Sequence, residues 1–522
     1  MTSRSLRTGL PWLVLALLGA AMALLTVSPV INPPKWDEFI VIYDAHRVAT
    51  GQVPYRDFFN FIPPGIFIVL AGFSKAVGGT TLTLGRYAAL AVAVATALLA
   101  AWALRRRGWG SWAACAVAGI FPLCIYPFWA VWSHQWLANL CLIALLAWFA
   151  GGPAGMMKWL VAGLLAGLAL LCLQAQGLEA LILCAVFILT EREGGAWGRI
   201  GGTALGGLLV WGPFAGFLAL AGAWSPFFQD TWTWASENYS RQGNENSGPL
   251  LQDLGWRLGD ILQRFSAGTL PGTGVTVLAG ITLYLSLLGA MVLLVALAVM
   301  GLVRILKAHQ IEGPWLAAAV LLTFLEAGLV LRGNPNWLHC LFALFPLTVL
   351  WAGTKQDLKL SIPGGLKRAG TWILAVCLIA GMAYHARGLW RHCPQPWELT
   401  DVDRPIREQP INRFLRGPAG LKPGDTLAAF PEGGEIYLYS APAAVGNTYF
   451  LPLNQNYNSL KDHERVAREM ERTRPRFVLV TPDLEKDFLN EASPVGRLLR
   501  QEYRRAGVIG LAVIYEPREA SP

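Results

Sequence analysis

Long apolar runs separated by short polar stretches recur along the whole chain. They fall at residues 10–30, 84–104, 112–131, 135–150, 158–173, 178–190, 200–222, 275–300, 314–331, 340–352 and 371–388. An α-helix needs about 20 apolar residues to cross the hydrocarbon layer of a bilayer, so each run reads as a membrane helix. The pattern predicts an α-helical polytopic membrane protein with about eleven crossings. The first run, Gly9 to Val30 behind Arg4 and Arg7, imitates a signal peptide. Its apolar core is long and no clean small-x-small cleavage site directly precedes Asn32-Pro33-Pro34, so it reads as a retained first helix.

One further run, 62–78, is ambiguous. It opens with Pro63-Pro64-Gly65, carries Lys75 inside and ends at Gly78-Gly79. Lys and Arg in short loops accumulate on the cytoplasmic side, and that asymmetry decides the threading. With an inside N-terminus and a non-crossing 62–78, the cytoplasmic loops hold Arg105, Arg106, Arg107, Lys158, Arg192, Arg199, Arg304, Lys307, Lys355, Lys359, Lys367 and Arg368. The short outer loops then hold little beyond Arg332. A crossing 62–78 would invert this, so the segment is expected to lie in or dip into the outer interface. Residues 31–83, 223–274 and everything beyond about 390 then face outside.

From Arg391 the pattern changes. A short strand Thr426–Phe430, a polar helix Ser459–Thr473, a strand Arg476–Val480 ended by Pro482, and a last apolar run Gly507–Tyr515 alternate as in a small α/β domain. The expected division is therefore a membrane domain over 1–390, including the outer loops, and an extracytoplasmic α/β domain over 391–522.

Composition narrows the class. Hydrophobic residues make up 54% of 522, charged residues only 14%, and mean hydropathy is +0.44, which excludes a soluble enzyme and a disordered chain. The net charge of +9 resides mostly in short loops and is not interleaved with aromatics on a soluble face, so it reports topology and not a nucleic-acid partner. Seven of the eight cysteines lie in or beside apolar runs and only Cys393 stands clear. No Cys-x-x-Cys or His-x-x-x-His spacing suggests a metal.

Candidate chemistry concentrates in the first outer loop. Trp36, Phe39, Ile40 and Tyr43 recur at helical spacing while Asp37, Asp44 and Arg47 fall toward the other side, as in an amphipathic helix lying along the membrane surface. The stretch Gly51-Gln52-Val53-Pro54-Tyr55-Arg56-Asp57-Phe58 and then Pro63-Pro64 supply turns that fold the loop back.

Asp37-Glu38, the Gly51 to Phe58 stretch, Pro63-Pro64, Gly78 and Arg86 together resemble the first-loop signature of bacterial GT-C glycosyltransferases. The group is that of the dolichyl-phosphate-mannose-protein mannosyltransferase-like enzymes, which includes the lipid A aminoarabinose transferases. The resemblance is tight over 36–86 and loose over about 10–390. It implies a GT-C membrane fold with juxtamembrane helices and an outer α/β domain. The implied activity is inverting transfer of a sugar, hexosyl or pentosyl, from a polyprenyl-phosphate carrier to an acceptor at the outer face. It places the catalytic carboxylate at Asp37. A carboxylate in that place takes the proton of an acceptor hydroxyl as it attacks the anomeric carbon, and the leaving phosphate needs cations. A monophosphate leaving group is compatible with a divalent metal but does not require one, so no cofactor is assigned.

Read as residues alone, Asp37 is a solvated carboxylate at a helix start, and Glu38 either orients an acceptor or faces water. The loop Trp132-Ser133-His134-Gln135-Trp136 departs from the family by lacking a second carboxylate, leaving His134 as an acceptor-side candidate or an interfacial histidine. Arg56, Asp57 and Glu179 are further acceptor-side candidates. Arg86, Arg332 and His339 are candidates for the donor phosphate, or for snorkelling to headgroups. Trp224, Trp232, Trp234, Tyr239 and Trp256 suit sugar stacking or an aromatic interface belt. Two other classes remain open: a transporter or flippase for lipid-linked sugars, and a non-catalytic assembly protein. The expected partners are the lipid-linked donor, an unknown acceptor and membrane lipids, and the expected place is the bacterial inner membrane with site and tail in the periplasm.

Overall fold

A computed structural model of the chain describes residues 27–34, 36–151, 155–191, 195–239, 274–308, 313–331, 337–357, 394–421, 425–430, 434–440, 443–444, 460–482 and 493–518, with isolated positions in 10–21, 368–380, 392 and 485. In chain order the helices are α1 Trp36–Ala49, α2 Gly65–Val77, α3 Leu82–Arg106, α4 Ser111–Ile120, α5 His134–Gly151, α6 Met156–Cys172, α7 Gln174–Thr190 and α8 Ala196–Leu220. After these come α9 Trp224–Phe228, the π-helix Gln229–Tyr239, α10 Gly274–Ala308, α11 Pro314–Leu331 and α12 Trp337–Gly353. The tail holds α13 Pro396–Thr400, α14 Arg404–Arg407, α15 Pro410–Arg416, α16 Gly434–Ser440, α17 Leu460–Thr473 and α18 Pro494–Glu502. Its strands are β1 Thr426–Phe430, β2 Ala443–Ala444, β3 Phe477–Val480, β4 Tyr503–Ile509 and β5 Ala512–Pro517.

The chain is a multi-pass membrane protein. Among the described residues α3, α5, α8 and Gly289–Lys307 within α10 are long and apolar enough to span a bilayer, and α2, α6, α7, Ser111–Ile125 and Pro314–Gly328 are shorter apolar helices. The expected runs 10–30 and 371–388 fall largely outside the described residues. The run 112–131 is not one helix. It ends as α-helix at Ile120, widens into a π-turn at Phe121–Ile125 and tightens to 3-10 over Tyr126–Trp129. Pro122 and Pro127 lack the N–H that an α-helix needs there. Helix α2 has 13 residues, about 20 Å of rise against a hydrocarbon layer of about 30 Å. It closes at Gly78, whose φ of +80° only glycine adopts at little cost.

The described chain forms two compact units. One gathers Met1–Asn32, Tyr87–Phe214 and Ser247–Gln395; the other gathers Pro33–Arg86, Ala215–Asn246 and Pro396–Pro522. In the first, α6 and α8 pack at glycines. A Cβ added at Gly163 would overlap the Thr203 carbonyl, and one at Gly206 would overlap the Leu160 carbonyl. Small residues let membrane helices approach to backbone contact, which is where dispersion contributes most in lipid.

The second unit carries a five-stranded sheet in the order β2-β1-β3-β5-β4. The first three strands are parallel, with Leu427 opposite Phe477, and β5 runs antiparallel to both neighbours, with Val513 opposite Val480. Strands β1 and β3 read as unbroken apolar runs because both faces are covered. The last apolar run is a hairpin and not one strand: Gly510, at φ +60°, turns the chain between β4 and β5. Arg504 and Arg505 in β4 hid its start, since an edge strand tolerates charge. Helix α18 had a legible signal that the pattern reading missed, the Ser493 N-cap followed by Pro494.

The position of α1 corrects an expectation. Its apolar side does not lie on a lipid surface. Ile40, Tyr43 and the following Phe59 enter one core with Leu427, Val466, Met470, Val478 and Ile514. Tyr43 stacks on Tyr437 at 5.2 Å, and α16 approaches so closely that a Cβ at Gly434 would stand 2.8 Å from the Phe39 carbonyl. An amphipathic pattern identifies the side to be buried without saying what buries it.

Replacing Gly206 with Val should push α6 and α8 apart and cost about 1–3 kcal/mol or more, the usual penalty of overpacking. A lower thermal unfolding midpoint in detergent would register it. Gly212→Ala, on the same helix with open space at its Cβ, should not lower the midpoint.

Candidate functional site

Helix α1 begins with Asp37 and Glu38 in its first turn and ends with His46 and Arg47 in its last, so its charges oppose both poles of the helix dipole. Asp37 is exposed. Glu38 is fully enclosed and accepts two hydrogen bonds from the equally enclosed Arg86, from Nε at 3.0 Å and Nη2 at 3.1 Å. Arg86 stands in the second turn of α3. The fork geometry matches donor pairs to acceptor pairs, which is the condition under which a buried ion pair offsets its desolvation. Glu38 thus fixes the first turn of α1 from within while Asp37 faces outward. A carboxylate is the partner the structure gives Arg86, and a donor phosphate would have to share it.

The loop after α1 is a folded strap. Arg47, almost wholly buried, donates from Nε to Gln52 Oε1 at 2.6 Å and from Nη2 to the Asp57 carbonyl at 2.8 Å, with its guanidinium 4.7 Å above the Phe58 ring. Asp57 accepts the Val53 amide at 2.7 Å and both Nε and Nη2 of Arg56 at 2.8 and 2.9 Å. The Arg56 guanidinium holds the Asp57 carboxyl below the usual carboxylate range. Tyr55, held at φ +69°, donates its hydroxyl to the Ile62 carbonyl at 2.8 Å and sets its ring edge against Phe227 at 5.0 Å. Asn60 donates to the buried Asp44 carboxylate and accepts the Ile62 amide at 2.7 Å. The Gly51 to Phe58 signature is therefore mostly scaffolding, with Arg56 its most exposed charge.

The remaining candidates lie elsewhere. His134 opens α5, and Glu179, in the second turn of α7, is buried facing Glu326 of α11; all three belong to the first unit. His339 lies on α12, with its side chain outside the described residues, as are Arg332, Arg241, Trp256, Arg257 and Arg264. Of the aromatic loop residues, Trp224 and Trp232 are exposed, while Trp234 is buried against Phe59 at 5.0 Å and Phe61 at 5.2 Å. Among the described residues no three His, Cys, Asp or Glu side chains gather as a metal site.

Two features escaped the sequence. Asp403, in the tail, binds the start of α3, and its sequence context, Asp403-Arg404-Pro405, reads only as the start of its own short helix α14. Asp230, in the π-helix, is buried, and burial pushes its carboxyl up to about 7 against the opposing pull of Arg465 and the Asn60 amide, with Asp462 adding to the rise. The π-helix that carries it, a common mark of functional sites, is visible only in the structure, so nothing in the sequence singles Asp230 out.

No protein-family model matches the sequence, and no curated protein does. Solved structures do. The chain is similar to ArnT from Cupriavidus metallidurans bound to undecaprenyl phosphate, with a TM-score of 0.54 and 14% identity over 97% of each chain. It also resembles ArnT from the same organism in the apo state, with TM-score 0.42, 13% identity and 97% of each chain. A third likeness is the Archaeoglobus fulgidus oligosaccharyltransferase tethered to an acceptor peptide, with TM-score 0.47 and 12% identity over 97% of this chain and 74% of that one. The first of these establishes the fold: it is the GT-C membrane fold that the first-loop signature implied.

Two outcomes follow from the charges. Arg86→Ala strands a buried carboxylate and should cost about 3–5 kcal/mol, whereas Arg86→Met with Glu38→Leu should recover much of the loss, because two apolar groups need no partner; thermal unfolding of the purified variants measures both. Asp230 titrates higher in the folded than in the unfolded chain. Its stabilising contribution is present in full below its ordinary value of 3.8 and is lost as pH rises through about 7. Asp230→Asn should therefore unfold at a higher temperature than wild type at pH 8, and the two midpoints should converge near pH 4.

Proposed function

We propose that this chain is a membrane glycosyltransferase that moves a sugar from a polyprenyl-phosphate carrier to an acceptor at the outer face of the bacterial inner membrane, with Asp37 as general base. The observation that carries the reading is an exposed carboxylate on an internally anchored helix turn, in a fold similar over 97% of the chain to an ArnT solved bound to undecaprenyl phosphate. In the reaction Asp37 takes the proton of an acceptor hydroxyl as its oxygen attacks the anomeric carbon. The bond from that carbon to the phosphate oxygen breaks, the electron pair leaves on the polyprenyl phosphate, and attack opposite the leaving group inverts the centre. The leaving phosphate is met by cations, for which Arg332 and His339 are the candidates; Arg86 serves through Glu38. Arg56, Asp57, His134 and Glu179 belong to the acceptor side. The Lys/Arg asymmetry supports a periplasmic side for 31–83, 223–274 and the α/β tail from 391, where the tail would shape acceptor access.

The test uses purified protein in lipid nanodiscs with a panel of undecaprenyl-phosphate-linked hexoses and pentoses, reading release of undecaprenyl phosphate. Wild type should release it from at least one donor, and Asp37→Asn should lower turnover by about 10²–10⁴-fold while undecaprenyl phosphate still binds. Wild-type turnover in Asp37→Asn would remove Asp37 from its role. Movement of the intact donor across the bilayer without carrier release would establish the transporter reading instead, and neither activity would leave an assembly protein.

A further inference from the structure

Helix α3 starts at Leu82, and a helix start leaves four amide N–H groups without partners inside the helix. Its own chain satisfies two: Leu84 donates to Thr81 Oγ1 at 3.0 Å and Gly85 to the Thr81 carbonyl at 3.1 Å. The other two are taken by a residue 321 positions away. Asp403, only 2% exposed, accepts the Leu82 amide at 2.7 Å on Oδ1 and the Thr83 amide at 3.1 Å on Oδ2. Its Oδ2 also accepts the Thr83 hydroxyl at 2.5 Å, and Oδ1 accepts the Tyr439 hydroxyl of α16. The Val402 amide returns a bond to Thr83 Oγ1 at 3.2 Å. Burial, then the neighbouring Asp403 and more weakly Glu38, push the Tyr439 phenol well above its usual range and keep it a neutral donor.

A buried carboxylate with four donors at a helix N-terminus is held there by charge, dipole and hydrogen bonds together. Three residues beyond Thr83 on the same helix stands Arg86, which grips Glu38, and Glu38 is the covalent neighbour of Asp37. The tail, the start of α3 and the first turn of α1 thus form one continuous polar linkage within one compact unit.

We propose that Asp403 is a positioning residue for Asp37. By capping α3 it fixes Arg86, which fixes Glu38 and with it the direction in which Asp37 meets the acceptor. The tail thereby sets the geometry of the transfer site besides covering it. This rests on Asp37 being the base. A base displaced by about 1 Å loses up to about 10²-fold in rate without losing donor binding, which is the signature that separates positioning from general stability.

The experiment uses the full chain in nanodiscs with the donor from the panel above that wild type turns over best. Asp403→Ala and Tyr439→Phe, each alone and combined with Asp37→Asn, are compared for turnover, donor KM and amide hydrogen exchange over 36–45 and 82–86. The single variants should lower kcat by about 10- to 100-fold with KM within about twofold. Exchange should rise over both segments. In the Asp37→Asn background the added substitution should change turnover by less than about twofold, because two residues acting through one step are not additive. Losses that multiply in full, a change confined to KM, wild-type turnover in Asp403→Ala, or exchange that rises only over 82–86 would each overturn the proposal. Should Asp403→Ala fail to fold, Tyr439→Phe, which removes a single hydroxyl, is read by the same criteria. If wild type releases no carrier from any donor, the glycosyltransferase reading falls, and exchange over 36–45 alone decides whether the linkage exists.

Discussion

Glu38 and Arg86 are both closed off from solvent, and everything around them has to accommodate that. Removing two charges from water costs several kcal/mol each, offset only when the geometry is near ideal and neither ion can drift. The pair meets this by joining the first turn of α1 to the second turn of α3 through two hydrogen bonds of 3.0 and 3.1 Å. Neither helix can rotate or slide without stranding a charge. The loop between them is pinned in turn by Arg47, Asn60 and the Tyr55 hydroxyl, so the 50 or so residues that carry the first-loop signature behave as one framework.

The tail belongs to the same framework. Ile40, Tyr43 and Phe59 share a core with the sheet, Tyr437 stacks on Tyr43, and Asp403 closes the start of α3. Apolar contact gives this association its strength, and the buried polar contacts give it register. Leu, Val and Ile side chains tolerate small sliding, whereas a carboxylate with four donors has one position in which all are satisfied. A small sheet of five strands, two of them edges, would bury little apolar surface alone, and the first-loop helix supplies part of the missing cover.

The apolar helices among the described residues are legible because bilayer thickness imposes a length that composition reveals, and β1, α17 and β3 are legible to within a residue or two because their periodicity is local. The GT-C fold was legible through the first-loop residues themselves. What escaped were relations between distant positions. Asp37, Glu38 and Arg86 stand out as charges beside apolar runs, but nothing in the sequence pairs Glu38 with Arg86 across 48 positions or Asp403 with Leu82 across 321. The sequence shows the apolar stripe of α1 but points it at lipid, because the nearest context in sequence is membrane, while the nearest in space is the tail. The π-turn after Ile120 and the hairpin at Gly510 were lost for a simpler reason: apolar runs hide breaks when the breaking residues, Pro122 and Gly510, are themselves common in such runs.

The carboxylates of the second unit differ in what their surroundings allow. Glu38, Asp44 and Asp403 are enclosed and taken by donors, so they orient neighbours. Asp230 is enclosed and pushed toward its neutral form, which suits neither a phosphate site nor a base that must be ionised beforehand. Asp57 is accessible, but Arg56 holds it below the ordinary range, and an acid made stronger is a base made weaker. Asp37 is exposed, stands at the positive end of a helix, and is adjacent to the residue that locks that helix in place. A general base has to combine access to the acceptor with a fixed direction, two demands that ordinarily oppose each other because exposure loosens a side chain. Placing the anchor on the next residue along the chain satisfies both, and of these carboxylates Asp37 is the one so placed.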